Sequence, residues 1–108
     1  MSLKLPDPIA AYFSADQGAG EAVADCFTAA AVVQDEGHTY RGVDEIRRWR
    51  ANVAAQFTYV CDPLSIAAED GKSIVSCRLT GDFPGNVADL RFFFQLEGDK
   101  IAALEITP

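Results

Sequence analysis

The chain has 108 residues, a length that fits one domain with a single core. Its formal net charge is −7 and its pI is about 4.4. The surplus of acidic side chains disfavours nucleic acids and anionic membranes as partners, because both are bound through clustered Lys and Arg. Apolar residues make up 49 % of the chain, and no apolar run approaches the ~20 residues that span a bilayer, so one globular domain is predicted over residues 1–108.

The start of the chain and the cysteines bear on the cellular compartment. Residues 1–8 contain neither the apolar stretch nor the small-residue cleavage site of a secretory signal, which favours a cytoplasmic location. The odd number of cysteines (Cys26, Cys61 and Cys77) and the absence of Cys-x-x-Cys spacing argue against a disulfide framework and a zinc site. We therefore expect reduced, mostly buried thiols and no bound metal.

The first predicted helix begins at Asp7, a residue type that caps helix N-termini, with Pro8 at the first helical position. It ends near Ala15, and its apolar face consists of Ile9, Tyr12 and Phe13. After a break over residues 16–20, helical spacing of apolar residues predicts a second helix that carries Val23, Cys26, Phe27 and Ala30. The segment from Ala30 to Asp35 then has the composition of a strand.

A turn and a third helix follow the carboxylate of Asp35. Glu36-Gly37 is typical of a turn, and residues 38–41 are predicted to form a short return strand. Gly42 followed by Glu45 resembles a capping box, which predicts the start of a helix. The apolar stripe of this helix consists of Val43, Ile46, Trp49, Val53 and Phe57. Its solvated face, near Asp44 and Glu45, is expected to carry Arg47, Arg48 and Arg50.

From Thr58 onward, the sequence predicts a four-stranded meander. Turn signals mark its three connections at Asp70-Gly71, Phe83-Pro84-Gly85-Asn86 and Gly98-Asp99. One face of the strands is apolar and carries Val75, Cys77, Leu79, Phe83, Leu90, Phe92, Phe94, Leu96, Leu104 and Ile106. The other face mixes charged residues with aromatic surface.

Helices followed by an antiparallel sheet with one apolar face predict an α+β domain. In this domain, three helices from the N-terminal half cover a curved, mainly antiparallel sheet, and the resulting cone-shaped roll encloses a hollow with an open mouth. The predicted lining is mostly apolar with a few polar groups, as in sites for hydrophobic small molecules, and consists of Tyr12, Phe27, Val33, Asp35, Trp49, Phe57, Tyr59 and Phe92.

Four stretches of the chain together resemble a known superfamily. The strand that ends in Asp35, the helix start at Tyr40-Arg41-Gly42, the helix with Trp49 and the closing run from Leu90 to Ile106 are similar to the nuclear transport factor 2-like superfamily, most closely its SnoaL-like branch. The resemblance spans nearly the whole chain and implies a cystatin-like cone fold. Because members include ketosteroid isomerases, polyketide cyclases, dehydratases and proteins with no known reaction, it identifies the fold better than an activity.

The resemblance to ketosteroid isomerases implies roles for two residues. These enzymes place a Tyr on the first helix, an Asp base at the end of the first strand and a protonated Asp on a later strand. Tyr12 and Asp35 match the first two positions. The third position is not matched, because the closest register places Arg91 there and only a shift would bring in Asp89 or Asp82.

From the residues alone, Asp35 has two interpretations. Burial at the end of an apolar strand raises the pKa of a carboxyl group and suits a general base, but a strand-end acid also commonly accepts backbone N–H bonds in a turn. Tyr12 is likewise either a donor to an enolate oxygen or a core residue. His38 follows the turn and is expected to face water.

The leading hypothesis is a protein that encloses an apolar small molecule and carries out isomerisation, cyclisation or dehydration without a cofactor. Asp35 would be the general base and Tyr12 the hydrogen-bond donor. The alternative is a non-catalytic ligand-binding or protein-association module in which Asp35 is structural. A homodimer through the outer sheet face is also expected, because relatives commonly pair there and Arg78 and Arg91 could contact Asp82, Asp89 or Glu105.

Overall fold

The computed structural model describes residues 3–16 and 21–108. In these ranges it contains the helices α1 (Asp7–Asp16) and α2 (Gly42–Gln56), a 3-10 helix (Glu21–Cys26), and the strands β1 (Phe27–Asp35), β2 (His38–Arg41), β3 (Tyr59–Glu69), β4 (Lys72–Gly81), β5 (Val87–Glu97) and β6 (Lys100–Thr107). Neither α1 nor α2 is long and apolar enough to cross a membrane, and the described residues contain no other helix that is.

The strands form one sheet in the order β2-β1-β6-β5-β4-β3. All neighbouring strands are antiparallel except β1 and β6, which run parallel and place Val33 opposite Leu104. The predicted meander is therefore confirmed for β3 to β6. The parallel pair joins the first strand to the last, so the N-terminal half of the chain is fixed to the centre of the sheet.

The turn between β1 and β2 fixes the position of Asp35. Glu36 and Gly37 have φ values of 52° and 78°, the combination that a two-residue type I′ hairpin requires. This turn places Asp35 directly opposite His38 in the antiparallel pair. The carboxylate therefore lies at the last position of β1, at one end of the sheet.

The inner face of the sheet and the two α-helices enclose the core. The predicted alternation is confirmed, since Val75, Cys77, Phe92, Phe94 and Leu104 are all buried. From α1, Ile9, Tyr12 and Phe13 pack against this face, as predicted. The fold is an α+β arrangement of helices on a curved sheet, which confirms the predicted fold class.

The second predicted helix is a correction. Only Glu21–Cys26 is helical, as a single 3-10 helix, and Phe27 to Ala30 belong to β1. The run Ala29-Ala30-Ala31 favours a helix locally, but Phe27 pairs with Ile101 of β6, and sheet pairing outweighs the local preference. The predicted break at residues 16–20 lies largely outside the described residues.

Candidate functional site

A cavity of about 350 Å³ lies between the helices and the inner face of the sheet. This volume falls within the range of roughly 300–1,000 Å³ that is usual for small-molecule sites. The lining is mainly apolar and aromatic and comprises Tyr12, Trp49, Val53, Phe57, Tyr59, Cys61, Leu79, Phe83, Pro84, Ala88, Leu90, Phe92 and Ile106. The polar members of the lining are Asp16, Asp35, Glu36, Arg50 and Gln56.

The structure places six of the eight predicted lining residues at this cavity: Tyr12, Asp35, Trp49, Phe57, Tyr59 and Phe92. Phe27 and Val33 do not border it, and this part of the prediction is wrong. The ring of Phe27 is buried edge-on against Tyr12 with a centroid distance of 6.1 Å. Val33 lies fully buried between Tyr40 of β2 and Leu104 of β6, so its side chain fills the core.

Asp35 lies half-buried on the rim of the cavity. Its Oδ2 atom accepts a hydrogen bond of 3.0 Å from Trp49 Nε1, and Oδ1 has no partner in residues 3–16 or 21–108. Burial raises the pKa of the Asp35 carboxyl group, and the indole N–H of Trp49 opposes this rise by stabilising the charged form. One carboxylate oxygen is thus held in place while the other is available for a proton.

Tyr12 reaches the cavity from an aromatic cluster on α1 and β5. Its ring makes edge-on contacts with Phe13, Phe92 and Phe94 at centroid distances of 5.2 to 6.2 Å. The hydroxyl makes no hydrogen bond to any described residue. Because burial strongly raises the pKa of Tyr12, the hydroxyl stays protonated and can act only as a neutral donor or acceptor.

A buried ion pair borders the same cavity and was not predicted. Nη2 of Arg50 donates hydrogen bonds to Asp16 Oδ1 and to the Tyr59 hydroxyl. The Tyr59 hydroxyl also lies 3.1 Å from Asp16 Oδ1, which completes a three-residue cluster. Only 6 % of the Arg50 side chain and 4 % of the Asp16 side chain are exposed. The predicted placement of Arg50 on the solvated face of α2 is therefore wrong.

The spacing of α2 contains the signal that would have located Arg50. Position 50 lies four residues after Ile46 and three before Val53, so helical geometry places it on the apolar stripe. The charge of Arg50 favours a solvent-exposed position, which is the position that Arg47 and Arg48 do occupy. Arg47 pairs with Asp44 at 3.2 Å on this exposed face.

The later strands supply no acid to the cavity. Asp89 is exposed on the outer face of the sheet, where Arg78 Nε donates to it at 2.9 Å. Asp82 accepts a hydrogen bond from the backbone N–H of Thr58, and Arg91 is exposed with its guanidinium over the Phe93 ring. Leu90 and Phe92 occupy the cavity side of β5 instead. The protonated Asp of ketosteroid isomerases thus has no counterpart at these positions.

Neither the histidine nor the cysteines form a nucleophilic site in the described residues. His38 is exposed, as predicted. Cys61 and Cys77 are buried, and Cys26 is half-buried. A hydrogen bond with Cys77, together with burial, raises the pKa of the Cys61 thiol and keeps it protonated, so it is a poor nucleophile.

The chain is similar to a known domain family and to several proteins of solved structure. Residues 9–104 match the family model of the SnoaL-like domain. A Sinorhizobium meliloti protein provisionally named a polyketide cyclase is 36 % identical, with a TM-score of 0.89 over 95 % of each chain. A Catenulispora acidiphila protein with a ketosteroid isomerase-like fold, solved with trimethylamine, is 17 % identical, with a TM-score of 0.87 over 97 % of this chain and 87 % of that one. The comparison with curated proteins gave no match.

More distant structures agree on the architecture. A cystatin-fold protein from Novosphingobium aromaticivorans has a TM-score of 0.79 at 14 % identity, over 99 % of this chain and 100 % of that one. A nuclear transport factor 2-like protein from Cytophaga hutchinsonii has a TM-score of 0.76 at 9 % identity, over 99 % of this chain and 91 % of that one. These similarities confirm the predicted cystatin-like fold.

Proposed function

The chain belongs to the SnoaL-like domain family, and from this premise we propose that its cavity binds an apolar carbonyl compound on which Asp35 acts as a general base. The observation that carries the proposal is the position of Asp35. It combines a free Oδ1 atom, a raised pKa and a place on the rim of an apolar cavity. A general base works best with a pKa nearer to the working pH, which burial promotes.

The proposed chemistry needs only groups of this chain. Asp35 Oδ1 accepts a proton from the carbon next to the carbonyl group of the ligand. The electron pair of the broken C–H bond forms the carbon–carbon double bond of an enolate, and the π pair of the carbonyl group moves onto its oxygen. The Tyr12 hydroxyl donates a hydrogen bond to the resulting enolate oxygen. Return of the proton from Asp35 to another carbon gives isomerisation. In an aldol-type cyclisation the enolate carbon attacks a second carbonyl group and the proton goes to the alkoxide that forms, whereas in a dehydration the proton leaves with the departing hydroxyl group as water.

A binding module without catalysis is the competing proposal. The hydrogen bond from Trp49 to Asp35 favours it, since the same contact orients α2 against β1 whether or not a reaction follows. Both proposals require a hydrophobic ligand in the cavity. They differ in whether Asp35 exchanges a proton with that ligand.

A thermal-shift screen tests the shared requirement. We expect one or more hydrophobic ketones, sterols, polyketide fragments or aromatic acids to raise the melting temperature of the protein. At a ligand concentration of about 100 times Kd, the rise should be on the order of 10 °C, because binding to the folded state alone stabilises it by about 2.7 kcal/mol. The absence of any shift across these classes would contradict both proposals and favour a protein-association module.

We also propose that the protein forms a homodimer through the outer face of the sheet. Val60 and Val87 are 61 % and 53 % exposed and flank Thr80 in one cross-strand row of this face. The same face carries Arg91 and Glu105, both exposed. A two-fold interface brings the same patch of two copies together, so such a face can pair unlike charges with a second copy.

Sedimentation equilibrium tests the dimer. We expect twice the 11.6 kDa of the chain for the unmodified protein and the mass of one chain for Val87→Glu, because the new charge would be buried at the interface. Arg48→Glu, which introduces the same side chain on the exposed face of α2, should leave the dimer intact. A single-chain mass for the unmodified protein at high concentration would refute this proposal.

A further inference from the structure

The cluster of Asp16, Arg50 and Tyr59 borders the cavity. Burying an ion pair costs several kcal/mol of desolvation per ion, so an equally well-packed apolar group would serve stability as well or better. The guanidinium has five N–H donors on three nitrogens, and Nη2 is the only nitrogen that donates hydrogen bonds to described residues. Nε is buried with no partner among them. The cluster thus keeps donor capacity that these residues leave unused, beside a cavity.

The charged residues that line the cavity carry a net negative charge. Its charged lining residues are Asp16, Asp35, Glu36 and Arg50. Asp16 neutralises Arg50, which leaves the negative charge on Asp35 and on the exposed Glu36. A base that takes a proton becomes neutral while its ligand becomes negative, so the total charge of the site stays constant. The negative charge moves from Asp35 to an oxygen of the ligand, where a hydrogen-bond donor is needed to stabilise it.

Arg50 lies close enough to Asp35 to serve the same ligand. Its guanidinium carbon is 4.9 Å from the centroid of the Trp49 ring, and the indole N–H of that ring donates to Asp35. Trp49 therefore separates the two polar groups, with Asp35 and Arg50 both bordering the cavity. A bicyclic or larger ring compound is long enough to reach both.

We infer that Arg50, held by Asp16 and Tyr59, donates hydrogen bonds to the ligand oxygen that becomes negative. The ligands would be ring compounds that carry an enolisable carbonyl group or an acidic oxygen substituent. This inference rests on the proposed function and extends it. Arg50 would share the oxygen with Tyr12, which borders the same cavity. Tyr59 would help to hold the guanidinium, since its hydroxyl accepts from Arg50 and donates its one proton to Asp16. Asp16 would be a positioning residue that orients the guanidinium.

Two probes with one ring system test the inference. 2-Acetylnaphthalene stands for the neutral ketone, and 2-naphthoate stands for the anionic state. Replacing Asp35 with Asn makes the side chain at position 35 neutral, as it is after proton transfer. We expect Asp35→Asn to tighten 2-naphthoate binding about tenfold or more, with ketone binding unchanged within about twofold, because one repulsive charge is removed. Titration calorimetry measures both affinities.

The role of Arg50 shows in a second substitution. Arg50→Met in the Asp35→Asn protein should abolish the tenfold gain for 2-naphthoate, and it should weaken binding of the neutral ketone by a smaller factor because the ketone oxygen carries no full charge. Arg48→Met on the exposed face of the same helix is the matched control and should change neither affinity. If circular dichroism shows that Arg50→Met does not fold, Tyr59→Phe replaces it and should reduce the gain at least threefold.

The outcomes separate the two proposals. If the ketone binds but Asp35→Asn gives no gain for 2-naphthoate, or if the gain survives Arg50→Met or its Tyr59→Phe replacement, the inference about Arg50 is wrong and the proposed function stands. If neither probe binds and the thermal-shift screen also finds no ligand, the proposed function itself fails. A gain that requires Arg50 supports both.

Discussion

Asp35→Asn is expected to lower kcat for a substrate of this protein by about 10²–10⁴-fold, the usual contribution of a positioned general base. The amide has nearly the same shape as the carboxylate, so its oxygen can still accept the hydrogen bond from Trp49 that now measures 3.0 Å. It cannot accept a proton at neutral pH. The measurement is a steady-state assay on a ketone that the thermal-shift screen identifies. Asp99→Asn, at an exposed turn, is the matched control and should keep full activity.

The same variant gives a separate prediction for stability. Because the pKa of Asp35 is raised in the folded state, the folded protein holds this proton more tightly than the unfolded chain does. The carboxyl group of Asp35 therefore lowers the free energy of unfolding as pH rises from its ordinary pKa near 4 through the raised folded value. Asp35→Asn removes this loss, so the variant should equal or exceed the stability of the unmodified protein at neutral pH. Urea unfolding at pH 4 and pH 7 measures the difference.

These results would separate the two interpretations of Asp35. A structural turn acid would make Asp35→Asn less stable at neutral pH while ligand turnover, if any, stayed within a few-fold of the original. Full activity in a well-folded Asp35→Asn protein would exclude the general-base role. The pH dependence of kcat/KM adds an independent check, since loss of activity at low pH should follow protonation of Asp35.

Local patterns predicted much of the fold around the site. The Glu36-Gly37 signal placed the hairpin correctly, because a turn with two positive φ values strongly selects its residues. Alternation along β5 correctly assigned Phe92 and Phe94 to the inner face, because each strand has only two sides. These features depend on neighbours in sequence, which is why sequence patterns contain them.

Other features depend on partners that are distant in sequence. The strand β1 begins at Phe27 because of its parallel pairing with Ile101, and local composition does not report this partner. The burial of Arg50 likewise depends on Asp16 and Tyr59, which come from two other parts of the chain. A charged residue on an apolar stripe is the one local sign of such a cluster. At position 50, the helical periodicity of apolar residues therefore predicts burial correctly, whereas the charge of the side chain does not.

The largest effect on stability is expected from Phe94→Ala. Phe94 is fully buried and contacts the rings of Tyr12, Phe13 and Phe92 at centroid distances of 5.5 to 6.1 Å. Truncating such a side chain removes its buried surface and leaves a cavity, which costs about 3–5 kcal/mol. A domain of this size has about 5–15 kcal/mol of stability in total, so the variant should lose a large share of it.

Urea unfolding of Phe94→Ala and Phe93→Ala measures this effect with a matched control. Phe93 is the next residue on β5, but it points to the outer face and is half-buried, so its truncation should cost only about 1 kcal/mol. The melting temperature of Phe94→Ala should fall by roughly 15–30 °C. Since Phe94 also supports the ring of Tyr12, a folded Phe94→Ala protein should bind cavity ligands more weakly than Phe93→Ala does. Equal costs for the two substitutions would mean that β5 does not present Phe94 to the core, and the position of Tyr12 at the cavity would lose its support.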